Sequence, residues 1–244
     1  MSLQFNVQRY QLEYVAQASG QFPLYTGSMW RGAFGHALKR TACITRLPSC
    51  STCLLQHQCI YSQIFETPAG REPLLSKINH APHPYIIEPL STSGQRFEVG
   101  DSLTVGLTLI GQANESLPYL IHAFTQLGAL GLGKAQARVQ LQAVYQEQTL
   151  GQTDWQLIYQ PSQCLSVLKR TISMVPPIPQ QVKLTWLTPF RAKYQEQLVI
   201  PSRFQPTVML MGLMRRLSLL AAYWDQPMTY DCYRESISEF CSGF

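Results

Sequence analysis

The sequence predicts an α+β fold of ferredoxin-like type: a four-stranded antiparallel sheet with both helices on one face. Three observations lead there. The order of patterns is strand, helix, strands, helix, strand. The clearest strand, Ser102 to Ile110, puts Leu103, Val105, Leu107 and Leu109 on one face. The chain has 244 residues with 45% hydrophobic content, enough for one large domain or two small ones with a sizeable core.

The elements follow in order. Leu3 to Val15 reads as a long strand whose apolar parity changes near Val7 to Arg9, which predicts a bulge or bend there. Gly20 and Pro23 end it. A helix is expected from Ser28, as N-cap, to about Ala42. After a cysteine-rich segment, Thr67 to Pro84 reads as loop and Tyr85 to Leu90 as a short strand. Gly111 stops the Ser102–Ile110 strand, Leu117 to Leu127 reads as a helix, and Arg138 to Tyr145 as a strand with a slip in its alternation. The Pro-rich stretch Met174 to Gln181 looks like a boundary. Beyond it a strand is expected from Val182 to Lys193 and a helix from Phe204 to Trp224. Residues 1–175 are thus expected to form one ferredoxin-like module and 181–244 a second, incomplete one.

Composition narrows the class. The charged fraction is only 14%, against a typical quarter, so the surface relies on uncharged polar side chains. A net charge of +5 is compatible with a polyanion partner without requiring one. The N-terminus lacks the apolar run of a signal peptide. The longest apolar run, Val208 to Trp224, is interrupted by Arg215 and Arg216 and reads as a buried helix, not a membrane span. Seven cysteines, four of them clustered, fit a reducing compartment, and a cytoplasmic location is expected.

Cys43, Cys50, Cys53 and Cys59 are separated by six, two and five residues. Two thiolates two residues apart form a knuckle that can bind one tetrahedral ion, and the other two are near enough to close a four-sulfur site. Zinc is the first choice and an iron–sulfur cluster the second; His57 could replace one ligand. Four protein ligands leave no open position, so the metal is expected to be structural. The competing reading is four unrelated buried cysteines.

On a helix turning about 100° per residue, Trp30, Ala33, Phe34, Ala37 and Leu38 form the core stripe. Gly32, Gly35, His36 and Lys39 fall on the other side, flanked by Arg31 and Arg40. This face lacks β-carbons and carries cations, so a polyanion backbone can approach it closely. His36 is a natural proton shuttle, against the plainer reading of a solvated helix histidine. His57, His80, His83 and His122 are weaker candidates; His80 and His83 could assist only if their loop folds back. Gly131-Leu-Gly133-Lys134 follows a helix and precedes a strand, the reverse of a dinucleotide-binding fingerprint, so a nucleotide cofactor is rejected. The loop either presents backbone amides, Lys134 and Arg138 to phosphates, or simply caps a helix with a tight turn. Arg215 and Arg216 are phosphate contacts or a snorkelling pair.

Together these pieces resemble the precursor-crRNA-processing endoribonucleases of CRISPR systems, members of the RAMP superfamily. The carrying residues are Gly27-Ser-Met-Trp-Arg31-Gly32-Ala-Phe-Gly35-His36-Ala-Leu, then Cys43, Cys50, Cys53 and Cys59 with Tyr61 and Phe65. Further matches are Leu109-Ile-Gly111, Gly131-Leu-Gly133-Lys134, Thr188-Pro189-Phe190-Arg191 and Arg215-Arg216-Leu217. The resemblance implies tandem ferredoxin-like (RRM-like) RAMP modules, here with a metal-binding insertion of four cysteines. It implies metal-independent cleavage of repeat RNA that leaves 2′,3′-cyclic phosphate and 5′-hydroxyl ends. It proposes His36 as general base or acid, with Lys39 and Tyr25 as helpers, and Arg31, Arg40, Lys134, Arg138, Arg215 and Arg216 as RNA contacts. The implied partners are CRISPR repeat RNA, the mature crRNA and other subunits of an interference complex, with no membrane. Two features depart from the family: Ala135-Gln136-Ala137 replaces the expected continuation of the glycine loop, and the second module is short. The short second module keeps open a non-catalytic crRNA-binding subunit, and the modest net charge permits a zinc-stabilised scaffold without nucleic acid.

Overall fold

The computed structural model describes residues 6–68, 81–90, 94–133, 135–169, 181, 183–186, 191, 193–194 and 197–225. Nine strands are found among them: β1 Val7–Ala16, β2 Gly20–Gln21, β3 Tyr85–Pro89, β4 Arg96–Phe97, β5 Ser102–Ile110, β6 Val139–Glu147, β7 Trp155–Tyr159, β8 Lys193–Tyr194 and β9 Gln197–Leu198. The α-helices are α1 Gly27–Ala42, α2 Leu117–Leu130 and α3 Pro206–Trp224.

The main sheet has the order β3-β5-β1-β6-β7 and is antiparallel throughout. This mixed α/β arrangement is compatible with a ferredoxin-like fold. It has five strands where four were expected. Trp155–Tyr159 escaped notice because only Ile158 of its short pattern is buried, as befits an edge.

The pairing explains why one sheet face becomes the core. Tyr10, Leu12 and Tyr14 of β1 stand opposite Leu107, Val105 and Leu103 of β5. On the other side Leu12 and Tyr14 meet Val144 and Leu141 of β6. All these side chains are buried, and α1 and α2 cover them with Trp30, Phe34, Leu38, Leu120, Phe124 and Leu127. Phe34 stacks on Phe124 with ring centroids 4.7 Å apart, and the Tyr14 hydroxyl donates to the Phe124 carbonyl at 3.1 Å. Fully burying such side chains contributes about 1.5–3 kcal/mol each relative to exposure.

The bulge lies elsewhere than expected. β1 pairs with β5 in unbroken register from Val7 to Val15, and the irregularity falls against β6, between Glu13 and Tyr14. There the extra residue, Gln142, lets Leu141 and Val144 both reach the core, which accounts for the slip in the β6 pattern. Leu3 and Phe5 lie outside the described residues. Ser28 is not the N-cap: α1 begins at Gly27 after Thr26, with no side-chain cap.

Of the predicted Val182–Lys193 strand, residues 182, 187–190 and 192 lie outside the described residues. Among the described residues Lys183–Trp186 is irregular, and Lys193–Tyr194 pairs with Gln197–Leu198. The proposed boundary at Met174–Gln181 lies, except Gln181, outside the described residues. The end of α3 is anchored beside the main sheet, on segments that flank β1, β3 and β5. Leu220 and Ala221 are buried, the Trp224 indole N–H donates to the Pro82 carbonyl at 3.2 Å, and the Asn6 amide donates to Asp225 at 2.8 Å. Gly111, with φ +59°, lies against the Trp224 backbone, where any side chain would collide. No helix among the described residues is long and apolar enough to cross a membrane.

Candidate functional site

The α2 helix ends where the Gly131 amide donates to the Leu127 carbonyl at 3.0 Å. The chain then forms a tight hairpin: Leu132 and Ala137 exchange amide–carbonyl bonds of 2.9 and 3.0 Å, and Gln136 N donates to Gly133 O at 3.2 Å. Gly131 and Gly133 have φ +89° and +67°, which side chains resist. The structure matches the plainer reading of this loop, a helix end followed by a tight turn. Lys134 lies outside the described residues.

Because α1 and α2 pack side by side, the hairpin stands across from the start of α1. Between them lies a groove of about 850 Å3. Tyr25, Ser28, Met29, Gly32 and His36 line one wall, and Gly131, Gly133 and Gln136 the other. His36 is exposed to this groove, and a β-carbon on Gly32 would meet nothing within 4 Å. Two segments a hundred residues apart in sequence thus share one concave surface.

The bare face of α1 is narrower than expected. Gly35 is buried, and the Phe65 ring occupies the space a β-carbon would need. Phe65 comes from a π turn, Ser62–Glu66, closed by Thr67 N donating to Ser62 O at 2.6 Å. Helical periodicity could not separate Gly35 from Gly32, because the plug arrives from a different segment. Lys39 also leaves the groove. Its ammonium donates to the Pro48 carbonyl at 3.3 Å and lies 5.5 Å from the Tyr61 ring centre, on the cysteine side.

A second pocket, of about 340 Å3, adjoins the first. It is lined by Tyr25, Gly27, Ser28, Arg31, His83, Tyr85, Ile87 and Arg216. Arg31 is held between partners: its guanidinium lies 4.9 Å from the Phe65 ring centre and bonds to His83 Nε2 at 3.1 Å. Arginine can only donate, so this Nε2 accepts, and Nδ1 carries the proton toward Thr67 Oγ1 at 2.9 Å. Thr67 Oγ1 in turn donates to Gln63 O at 2.9 Å. His83 therefore does fold back, although onto Arg31 and away from His36. Tyr85 lacked any polar signal in the sequence; its strand pattern read only as core. Burial pushes its phenol up, while the nearby Arg31 charge pulls it down.

The remaining sequence candidates are dispersed. Arg40, Arg138 and Arg215 are exposed and line neither pocket, so of the two late arginines only Arg216 joins the assembly. His80 lies outside the described residues, as do Thr188-Pro189-Phe190, Cys232 and Cys241. His57 is exposed, and His122 lines a separate groove beside Cys59.

Cys43, Cys50, Cys53 and Cys59 are all free thiols and line one small cavity of about 10 Å3. The knuckle turn is closed by Cys53 N donating to Cys50 O at 3.1 Å. Among the described residues no group of three or more Cys, His, Asp or Glu side chains is gathered at coordination spacing. Burial pushes the Cys50 thiol up, helped by Glu66, while Lys39 pulls it down. The Thr45 hydroxyl, 3.4 Å away, and then the Leu55 amide hold Cys53 below the usual thiol range. The donor set, four thiols around one cavity, fits a soft tetrahedral ion in chemistry, with side-chain rotation needed to gather the sulfurs.

Residues 5–172 match the AF_1859_N family model, described as an N-terminal domain. That is more than half of the chain, and the chain belongs to this family. No curated protein matches it.

Proposed function

We propose that this member of the AF_1859_N family is a metal-independent endoribonuclease of the RAMP type that cleaves CRISPR repeat RNA within precursor crRNA. Its first module, in this reading, is ferredoxin-like, with the cysteine segment as an insertion. The supporting observation is the convergence of His36 and Gly32 with the Gly131–Gln136 hairpin on one groove. A bare helix face lets a ribose-phosphate backbone approach, and the hairpin supplies amides and turn curvature. In the reaction, His36 takes the proton of a 2′-hydroxyl. The freed oxygen attacks the adjacent phosphorus, and the 5′-oxygen leaves as it gains a proton. The products are a 2′,3′-cyclic phosphate and a 5′-hydroxyl. Tyr25, exposed at the same groove, is placed to hydrogen-bond the phosphate.

The four cysteines would hold a structural zinc ion, which would supply folding energy and no step of the reaction. Stripping metal with a chelator is expected to lower the melting temperature and leave cleavage by surviving folded protein unchanged. Replacing His36 by Ala is expected to abolish cleavage of a labelled repeat RNA, in EDTA, with binding retained. Undiminished cleavage by that variant would remove His36 from the mechanism.

A second reading, a non-catalytic crRNA-binding subunit of a CRISPR ribonucleoprotein, is favoured by one observation. Lys39, expected beside His36, is directed to Pro48. Binding of repeat RNA by the unaltered protein, without a cyclic-phosphate product, would select it.

A further inference from the structure

The pocket beside the groove holds an unusual set of groups. Arg31 comes from the first turns of α1, Arg216 from the middle of α3, and Tyr85 from β3. The start of α1 has no side-chain cap and no acidic residue in its first turn, so its positive end is uncompensated by its own residues. Independently, Tyr85 is only 5% exposed. Its hydroxyl lies within hydrogen-bonding reach of the Arg31 guanidinium, which draws its pKa down, yet no well-formed hydrogen bond satisfies it. A buried hydroxyl without a well-formed partner destabilises the fold, and a ligand oxygen that accepted from it would remove that cost. Arg31 is already oriented by His83 and Phe65, so little side-chain freedom is lost when it binds.

We propose that this pocket is a binding site for one phosphate group of a single-stranded polynucleotide, held by Arg31, Arg216, the Tyr85 hydroxyl and the first amides of α1. The ligand class follows from the donors. Two guanidinium groups, a neutral hydroxyl and helix amides all donate, and a tetrahedral oxyanion accepts from several directions at once. The polymer follows from continuity: Tyr25 lines both this pocket and the His36 groove, so an extended strand can run from one into the other. The choice of a polynucleotide rests on the proposed function; the phosphate chemistry does not.

Binding, not cleavage, provides the test. The probe is a short single-stranded RNA with 2′-deoxy substitutions that prevent cleavage, titrated at several salt concentrations. Tyr85→Phe is expected to melt no lower than the unaltered protein, because it removes only the unpartnered oxygen, yet to bind the probe about three- to tenfold more weakly. Arg216→Gln is expected to weaken binding and reduce the salt slope by about 0.7, the value for one lost phosphate contact on a single strand. Inorganic phosphate serves as the second arm. If it raises the melting temperature at low millimolar concentration and Tyr85→Phe removes that effect, while probe binding is unchanged in both variants, the site takes free phosphate and the polynucleotide assignment is overturned. Unchanged affinity and salt slope in both variants, with no phosphate effect, overturns the site altogether. Neither outcome depends on whether His36→Ala still cleaves.

Discussion

Gly32 and Gly35 lie three residues apart on α1, yet they face different regions. Around Gly32 there is open space, and the helix surface continues into the groove shared with His36 and the glycine hairpin. Around Gly35 the helix meets Phe65, itself packed with Phe34, Tyr61 and Tyr85. One glycine leaves room for a ligand and the other leaves room for a neighbouring side chain. The same residue type on one helix therefore answers to two physical demands, close approach from outside and close packing from within.

Substitution separates the two. Gly35→Ala places a methyl group into the Phe65 ring, and overpacking of this kind costs about 1–3 kcal/mol, so the variant is expected to melt several degrees lower. A melting temperature equal to that of the unaltered protein would show that Phe65 yields easily and that the packed region is no different from the open one. Alkaline pH gives the next effect. Burial holds the Tyr10 and Tyr14 phenols well above their ordinary range, and Tyr14 lies beneath Trp30 on the packed side of α1. Their protons stay on in the fold while the unfolded chain loses them above about pH 10, so stability is full below that pH and falls by about 1.4 kcal/mol per tyrosine per pH unit above it. Urea midpoints measured from about pH 8 to 11 check this; a flat profile would mean the packed side admits water. The smallest effect belongs to Gly32→Ala. With nothing near the new methyl, helix propensity alone is expected to raise stability by up to about 1 kcal/mol. The same variant should bind repeat RNA less well. A variant that is more stable and binds equally well would separate Gly32 from the proposed interface.

The cysteine segment makes a related contrast. It follows directly on α1, and its charge environment borrows from the helix: Lys39, read in the sequence as a companion of His36, acts on Cys50 and the Pro48 carbonyl. A side chain as long as lysine has several positions within reach, and helical angle alone does not choose among them.

How much was legible from residues alone can be traced element by element. Ser102–Ile110 was found to its bounds, because strict alternation ended by a positive-φ glycine leaves little freedom. Both α1 and α2 were found, since each has a continuous apolar stripe and a glycine near its start or end. The edge strand Trp155–Tyr159 and the short β2–β4 pair were missed, because an edge buries too few side chains to write a period. Of the candidate site, His36, Gly32, Tyr25, Arg31 and Arg216 were legible as residue types. The partition of the arginines into one pocket and open surface was not, and neither was the part played by Tyr85.

Residue order carries what repeats locally: apolar period, helix stripe, glycine turns and a four-thiol spacing. Each depends on neighbours a few residues away, which the chain order already contains. Long-range packing sets where Lys39 turns, which glycine is plugged, and that Arg31, Arg216 and Tyr85 share a pocket. The last two outcomes depend on segments 30 to 185 residues apart meeting across the core, and short-range pattern carries no information about such meetings.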